Sequence, residues 1–203
     1  MLYYALGNVA SMPRAVDSEE RRNELGAAAA RVIARSGIAG ATMREVAAEA
    51  GWTTVALTHY FADKRELLKF TLDASLRRRR TRRPSRDRME PAASLRAALA
   101  DALPTDEDSR LHWIVTVAFC AQATADADMA LAQRDAYREF RQNVTRLVER
   151  ADRASGAAAT AEAERLISIT DGIAVQALFD PESWPAERQL AALDEALAAG
   201  ARA

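Results

Sequence analysis

The sequence predicts an all-α fold of about nine helices: a three-helix unit at the N-terminus, then a larger helical domain. Three observations carry that expectation. The chain is rich in Ala, with only 8 Gly and 6 Pro in 203 residues. It contains no run of alternating β-branched residues, and its apolar positions recur at i, i+3 and i+4 between Gly and Pro punctuation. The length is sufficient for one or two domains with a proper core.

The first helix is capped by Asp17-x-x-Glu20 and runs to about Ser36, with Leu25, Ala28, Ala29, Val32 and Ile33 inward. Gly37 ends it and Ile38 plugs the space behind the turn. Thr42-x-x-Glu45 is a capping box that starts the second helix at Met43, with Val46, Ala47 and Ala50 on one face. Gly51 stops that helix by supplying a left-handed conformation that a Cβ resists. Thr53 caps a third helix, Thr54 to about Tyr60, whose buried side holds Val55 or Ala56 together with Leu57 and Phe61. Two short helices joined by a tight Gly-containing turn form a helix-turn-helix. Its outward side carries Thr53, Thr54, Thr58, His59 and Tyr60, short polar groups and an aromatic on a helix slim enough for the DNA major groove. Trp52 is either a core wedge or a ring facing the DNA backbone.

Asp63-x-x-Glu66 starts the fourth helix, residues 63–83, with Leu67, Leu68, Thr71, Leu72 and Leu76 as its inner stripe. It ends in RRRRTRRPSRDR, where Pro84 stops it. At 1.5 Å per residue this helix is ~30 Å long, so Arg77 to Arg83 lie far from any DNA at Lys64. They are read as a solvated helix C-terminus favoured by the helix dipole, facing Asp106, Glu107 and Asp108. Five further helices follow, at about 91–102, 106–124, 128–153, 160–179 and 185–199, separated by Pro104, Gly156, Pro181 and Pro185.

The charge is split. Lys and Arg outnumber acids 17 to 10 in residues 1–89 and trail them 11 to 19 in residues 90–203, although the net charge is only −1. A basic head and an acidic remainder suit a nucleic-acid reader joined to something else. One cysteine, Cys120, excludes an internal disulfide and a cysteine metal cluster. No apolar run reaches the ~18 residues of a membrane span. The opening MLYYALGNVA lacks a basic n-region, so no signal peptide is expected and a cytoplasmic location is. Catalysis finds little material. His112 and Cys120 differ by ~12 Å of helical rise, and no Gly-rich phosphate loop or metal-spaced ligand set occurs. No cofactor or metal is expected.

The run AGWTTVALTHYFADKRELL resembles the DNA-binding signature of TetR-family transcriptional regulators, through Gly51, Leu57, His59-Tyr60-Phe61 and Lys64. The likeness extends upstream through Arg21, Leu25, Ala28-Ala29 and Gly37. The second half is similar to the C-terminal domain of choline-responsive, BetI-like repressors, in TVAFCAQATAD, ALAQRDAYREFRQNVTRLV and TDGIAVQALFDP. The resemblance implies a tail at 1–12, with Met12 as a candidate natural start. It further implies a DNA-binding domain at 13–62 and an effector-binding and dimerisation domain at 63–203, helix 63–83 connecting them.

The same resemblance implies a ligand-responsive homodimer, most often a repressor, on a palindromic operator of double-stranded DNA. It places backbone contacts at Thr42, Thr53, His59, Tyr60 and Lys64, and base contacts at Thr54, Val55 and Thr58. Here the chain departs from the family: Thr54 stands for a common Lys and Val55 for a common Gly. With no Arg or Lys on the third helix, bidentate guanine readout is left to Arg44, and hydroxyl and thymine-methyl contacts are expected to dominate. Leu166, Ile169, Ile173, Leu178, Leu190, Leu193 and Leu197 are too apolar for one subunit to cover, and are expected at the dimer interface. Trp113, Thr116, Val117 and Cys120 form one helical stripe, with Tyr137 and Phe140, and Asn143 or Val144, near it. By spacing alone this is core; by resemblance it lines a small-molecule pocket, in which Trp113, Phe119 and Tyr137 would suit a cation. A constitutive DNA-binding protein with a filled core is the alternative.

Overall fold

The computed structural model describes residues 14–81 and 89–200, with side chains described over 18–75 and 89–200. The tail, Pro84 and the side chains of Asp17, Leu76 and Arg77 to Arg83 lie outside the described residues. Among the described residues are nine helices and no strand: α1 (Arg14–Gly40), α2 (Met43–Glu49), α3 (Thr54–Thr58), α4 (Lys64–Thr81), α5 (Pro91–Ala100), α6 (Glu107–Ala123), α7 (Ala127–Arg150), α8 (Gly156–Phe179) and α9 (Ala186–Gly200). None of them is long and apolar enough to cross a membrane.

The signals at Gly37, Gly51, Thr53 and Asp63 act as the sequence predicts, while the Thr42 box forms only its Thr42 half, because the Thr42 amide bonds the Gly40 carbonyl at 2.8 Å. Gly37 breaks α1 at φ 67°, and Gly51 takes φ 74° after α2. Thr42 Oγ1 accepts from the Glu45 amide at 3.2 Å, and Thr53 Oγ1 from the Ala56 amide at 3.1 Å, each filling an orphan donor of its helix. At α4, Asp63 accepts from the Glu66 amide at 2.8 Å, while Glu66 reaches back to the Ala62 amide at 2.8 Å. Several boundaries differ from expectation, among them the start of α1, at Arg14 and so ahead of the Asp17 expected to cap it. Helix α3 closes two residues early, because the amides of His59 and Tyr60 bond three residues back, to Ala56 and Leu57, and tighten the exit. Helix α8 begins a turn early, at Gly156, since Ala159 is fully buried and the Ala run there favours helix.

Two apolar cores form, and α6 serves both. Leu25, Val32, Val46, Leu57 and Phe61 of the three-helix head are joined by Leu67 and Leu72 of α4 and by Val115 and Phe119 of α6. The second core gathers Leu95, Leu99, Trp113, Val144, Val148, Leu166 and Leu193 from α5 to α9. The core of the head is therefore shared with α4 and α6.

The apolar residues of α8 and α9 need a correction. Leu166, Ile173 and Leu193 are buried inside their own subunit, Leu166 and Leu193 completely. Ile169, Leu178, Leu190 and Leu197 pack half-buried against the same core. Helices α5, α6 and α7 help cover Leu166, Ile173 and Leu193, which sequence periodicity could not show. The outward side of α8 instead carries Ser168, Gly172, Val175 and Phe179, and Phe179 is 78% exposed. At the other end, Arg110 of α6 donates to the carbonyls of Ala177 and Leu178 at 3.0 Å each, satisfying the last turn of α8.

Candidate functional site

The reading surface is built by fixing what lies behind it. Leu57 and Phe61 anchor α3 in the core, so Ala56 is its half-buried residue and Val55 turns outward, 71% exposed. Thr54, Thr58 and His59 are exposed beside it. Thr58 returns its hydroxyl to the Val55 carbonyl at 2.8 Å, leaving its methyl and oxygen lone pairs for a partner. Arg44, at the start of α2, has an 85% exposed side chain, 3.7 Å from its neighbour Glu45. Tyr60 is half-buried and meets Trp52 edge-on, ring centroids 5.6 Å apart at 73°. Trp52 packs against the head core, and Arg21 lies 5.3 Å from its ring centroid.

Lys64 takes a different place from the one expected. Its ammonium donates to the carbonyls of Ile38 at 2.7 Å and Ala39 at 3.2 Å, at the exit from α1. In this arrangement it clamps α4 to α1.

Sequence reading missed the second clamp, at Arg22. Its guanidinium donates to the Tyr60 carbonyl and to Glu66 at 3.1 Å, and lies 4.3 Å from the Phe61 ring centroid. The Ala62 amide and then Arg22 hold the Glu66 carboxyl below the usual range. No spacing rule links positions 38 and 44 residues apart, so no local signal could have revealed these contacts. Likewise Arg31 and Arg35 of α1 grip Glu49 at 2.7 and 3.1 Å, fixing α2 and holding that carboxyl low.

In the second domain the expected ligand stripe divides. Trp113 is buried, and its indole donates to the Ala102 carbonyl at 2.6 Å. Thr116 is buried with its hydroxyl on the His112 carbonyl at 2.9 Å. Both are core residues, because α6 turns that edge toward α5 and α8. Val117, Tyr137 and Phe140 are half-buried against the second core, while Cys120 reaches solvent. Around them stands a polar cluster from three helices. The Tyr137 hydroxyl donates to Asp171 at 3.0 Å, and the Gln133 amide lies 3.6 Å from Cys120 Sγ. The Gln133 carbonyl oxygen is buried with no hydrogen-bond partner among the described residues. Desolvation and then the Asp171 charge push the Cys120 thiol up, so it is not a ready nucleophile. Gln133 and Asp171 were not expected in the site; they come from different helices and only packing unites them. No metal-binding group of three or more His, Cys, Asp or Glu occurs among the described residues.

A helix-turn-helix head carried on a separate all-α body defines a DNA-binding transcriptional regulator. Residues 25–69 match the family model of bacterial regulatory proteins of the tetR family, and residues 91–202 match that of the BetI-type transcriptional repressor C-terminal domain. The chain belongs to the TetR family, with a C-terminal domain of the BetI type. It is 33% identical over 174 residues to the HTH-type transcriptional regulator PksA of Bacillus subtilis, covering 84% of each chain. It is 28% identical over 182 residues to the regulator BetI of Paraburkholderia phytofirmans, covering 88% of this chain and 92% of that one. Among solved structures, a transcriptional regulator from Rhodococcus sp. superposes with a TM-score of 0.80 at 29% identity, over 89% of this chain and 96% of the other. A regulator from Saccharomonospora viridis, solved in complex with choline, has the same fold: TM-score 0.79 at 20% identity, over 87% and 95%.

Proposed function

We propose that this transcriptional regulator acts as a homodimeric repressor that reads a palindromic operator and is released by a small cationic molecule. The observation that carries the DNA part is the outward side of α3, where Val55, Thr54, Thr58 and His59 stand free of the packing that holds Leu57 and Phe61. A two-fold pair would set these helices in successive major grooves ~34–36 Å apart. Val55 supplies thymine-methyl contact, Thr54 and Thr58 hydroxyl contact, and Arg44 is the candidate for guanine. Thr42, Thr53, His59 and Tyr60 border the phosphates. Residues 13–62 form the reading unit and residues 63–203 the effector and dimer unit, joined through α4, within the cytoplasm.

The exposed apolar stripe of α8, Val175 and Phe179 with the small Ser168 and Gly172, suits a second copy of the same helix. The Cys120, Gln133, Tyr137 and Asp171 cluster, flanked by Val117 and Phe140, suits an effector with a positive charge. A carboxylate beside aromatic rings attracts a cation both by charge and by the ring quadrupole. The choline found in the Saccharomonospora neighbour supports that chemistry. Release requires tighter effector binding to the dimer state that does not fit the operator, and only that difference in affinity counts.

The test is selection of bound duplexes from a random pool, followed by gel shifts with quaternary amines. An enriched palindrome, a sedimentation mass of two subunits and release by an amine support the reading. No enriched sequence, or single subunits at working concentration, would overturn the DNA and dimer parts. Release by neutral or anionic compounds alone would overturn the cation.

A further inference from the structure

We infer a second small-molecule site on the opposite side of α6, in the cleft between α1, α4 and α6, suited to a small phenol or alcohol. The cleft measures about 220 Å³ and is open at one side. Its walls are short side chains, Ala27 and Ala30 of α1 and Ala74 of α4, faced by Leu111 and Val115 of α6. Its polar groups are those of Asn23, Thr71, Ser75, Asp108 and His112. There the Ser75 hydroxyl and His112 Nδ1 lie within hydrogen-bond distance, a polar link between α4 and α6.

The gap cannot be closed by bringing α1 and α4 together. Gly26 already lies against Phe70, and even a Cβ at Gly26 would stand 2.9 Å from that ring. This contact sets the separation of the helices, and beside it Ala27 and Ala30 of α1 face Ala74 and Ser75 of α4 across the cleft. At a liquid share of ~30 Å³ per water, the cleft has room for about seven non-hydrogen atoms. That is the size of phenol, below the ~300 Å³ at which drug-sized pockets begin. An apolar body would lie along the alanines, and one hydroxyl would join the Ser75–His112 pair as donor or acceptor.

The place in the fold gives the site its consequence. Helix α1 is the back of the reading head, α4 leads directly out of it, and α6 belongs to both cores. An occupant wedged here sets the spacing of α4 against α6 with no relay through the effector cluster. The inference goes beyond the proposed effector site, which lies on the Cys120 side of α6.

The test uses the full chain with phenol and hexan-1-ol as probes, by calorimetry and by operator gel shift. Saturable binding at about millimolar or tighter, with operator affinity weakened at least about threefold, is expected. Ala30→Leu and Ala74→Leu, which fill the cleft, should abolish it. If either filling variant fails to fold, Ser75→Ala and His112→Gln leave the walls in place and should weaken probe binding about tenfold. Asp171→Asn should leave probe binding intact. Absence of saturable binding overturns the site, as does binding that survives the filling and polar variants. Binding lost in Asp171→Asn but kept in Ala30→Leu would move the probe to the effector cluster and leave the proposed function standing.

Discussion

The ammonium of Lys64 lies 2.7 Å from the carbonyl oxygen of Ile38 and, with a second bond to Ala39 at 3.2 Å, ties the start of α4 to the end of α1. The Ile38 carbonyl, which also accepts from the Ala41 amide at 3.3 Å, lies in the last turn of α1, where a cation is favoured by the helix dipole. The orientation of the reading head against its connecting helix therefore depends on a charge inside the protein.

Lys64→Gln should lower stability by about 1 kcal/mol and weaken operator binding. The slope of log affinity against log salt should stay unchanged, because no phosphate contact is lost. A slope reduced by ~0.9 would show that Lys64 neutralises a phosphate instead. Filter binding across a salt series distinguishes the two.

Val55→Ala removes an exposed side chain, so its effect on stability should remain within ~0.5 kcal/mol. Operator discrimination should fall by about 1 kcal/mol at one A·T step, the low end of what a good base contact supplies. Arg44→Ala should relax any guanine preference. Competition binding with singly substituted operators reads both. Guanine-dominated specificity that survives Arg44→Ala would remove the hydroxyl and methyl mode of readout.

Trp113→Ala should cost ~3–5 kcal/mol, the usual loss for a large aromatic taken from a packed core. Tyr137→Phe should cost only about 1 kcal/mol, since it deletes one hydrogen bond to Asp171. The order should reverse for the effector: amine-induced release is impaired by Tyr137→Phe and by Asp171→Asn. Urea unfolding and release titrations on the same variants test the pair of expectations.

The acid limb of stability should carry the mark of Glu162. Arg165 first, then Arg153, hold its carboxyl below its ordinary value of 4.5. Arg153 and Arg165 also reach the carbonyls of Leu197 and Ala196, so the group fastens α9 to α8. A lowered folded-state pKa means the stabilisation is complete above the unfolded value and is lost as pH falls below about 4.5 through the folded value. Glu162→Gln should lower stability at pH 7 by ~1–3 kcal/mol and flatten the fall below pH 4.5, read from unfolding midpoints against pH.

Among these expectations, the helix-turn-helix was legible because its determinants are local. Thr42, Gly51 and Thr53 act on amides and turns within a few residues, and spacing reports them directly. The clamps of Arg22 and Lys64 were not, because each joins groups 25 or more residues apart. The stripe of Trp113, Thr116, Val117 and Cys120 shows how far periodicity reaches: it places four residues on one edge of α6 without saying what that edge meets. The structure sends Trp113 and Thr116 into the core and leaves Cys120 at the rim beside Asp171.

By itself, then, the sequence determined an all-α chain, the caps and breaks of its helices, and a head whose outer helix carries threonines and no arginine. These follow from backbone geometry and short-range hydrogen bonding, which the order of residues specifies. Only the tertiary structure decided that Leu166 and Leu193 are covered within the subunit while Phe179 is not, and that Gln133, Tyr137 and Asp171 meet. Burial and the meeting of distant groups depend on which helix faces which, and that is set by the packing of the whole chain.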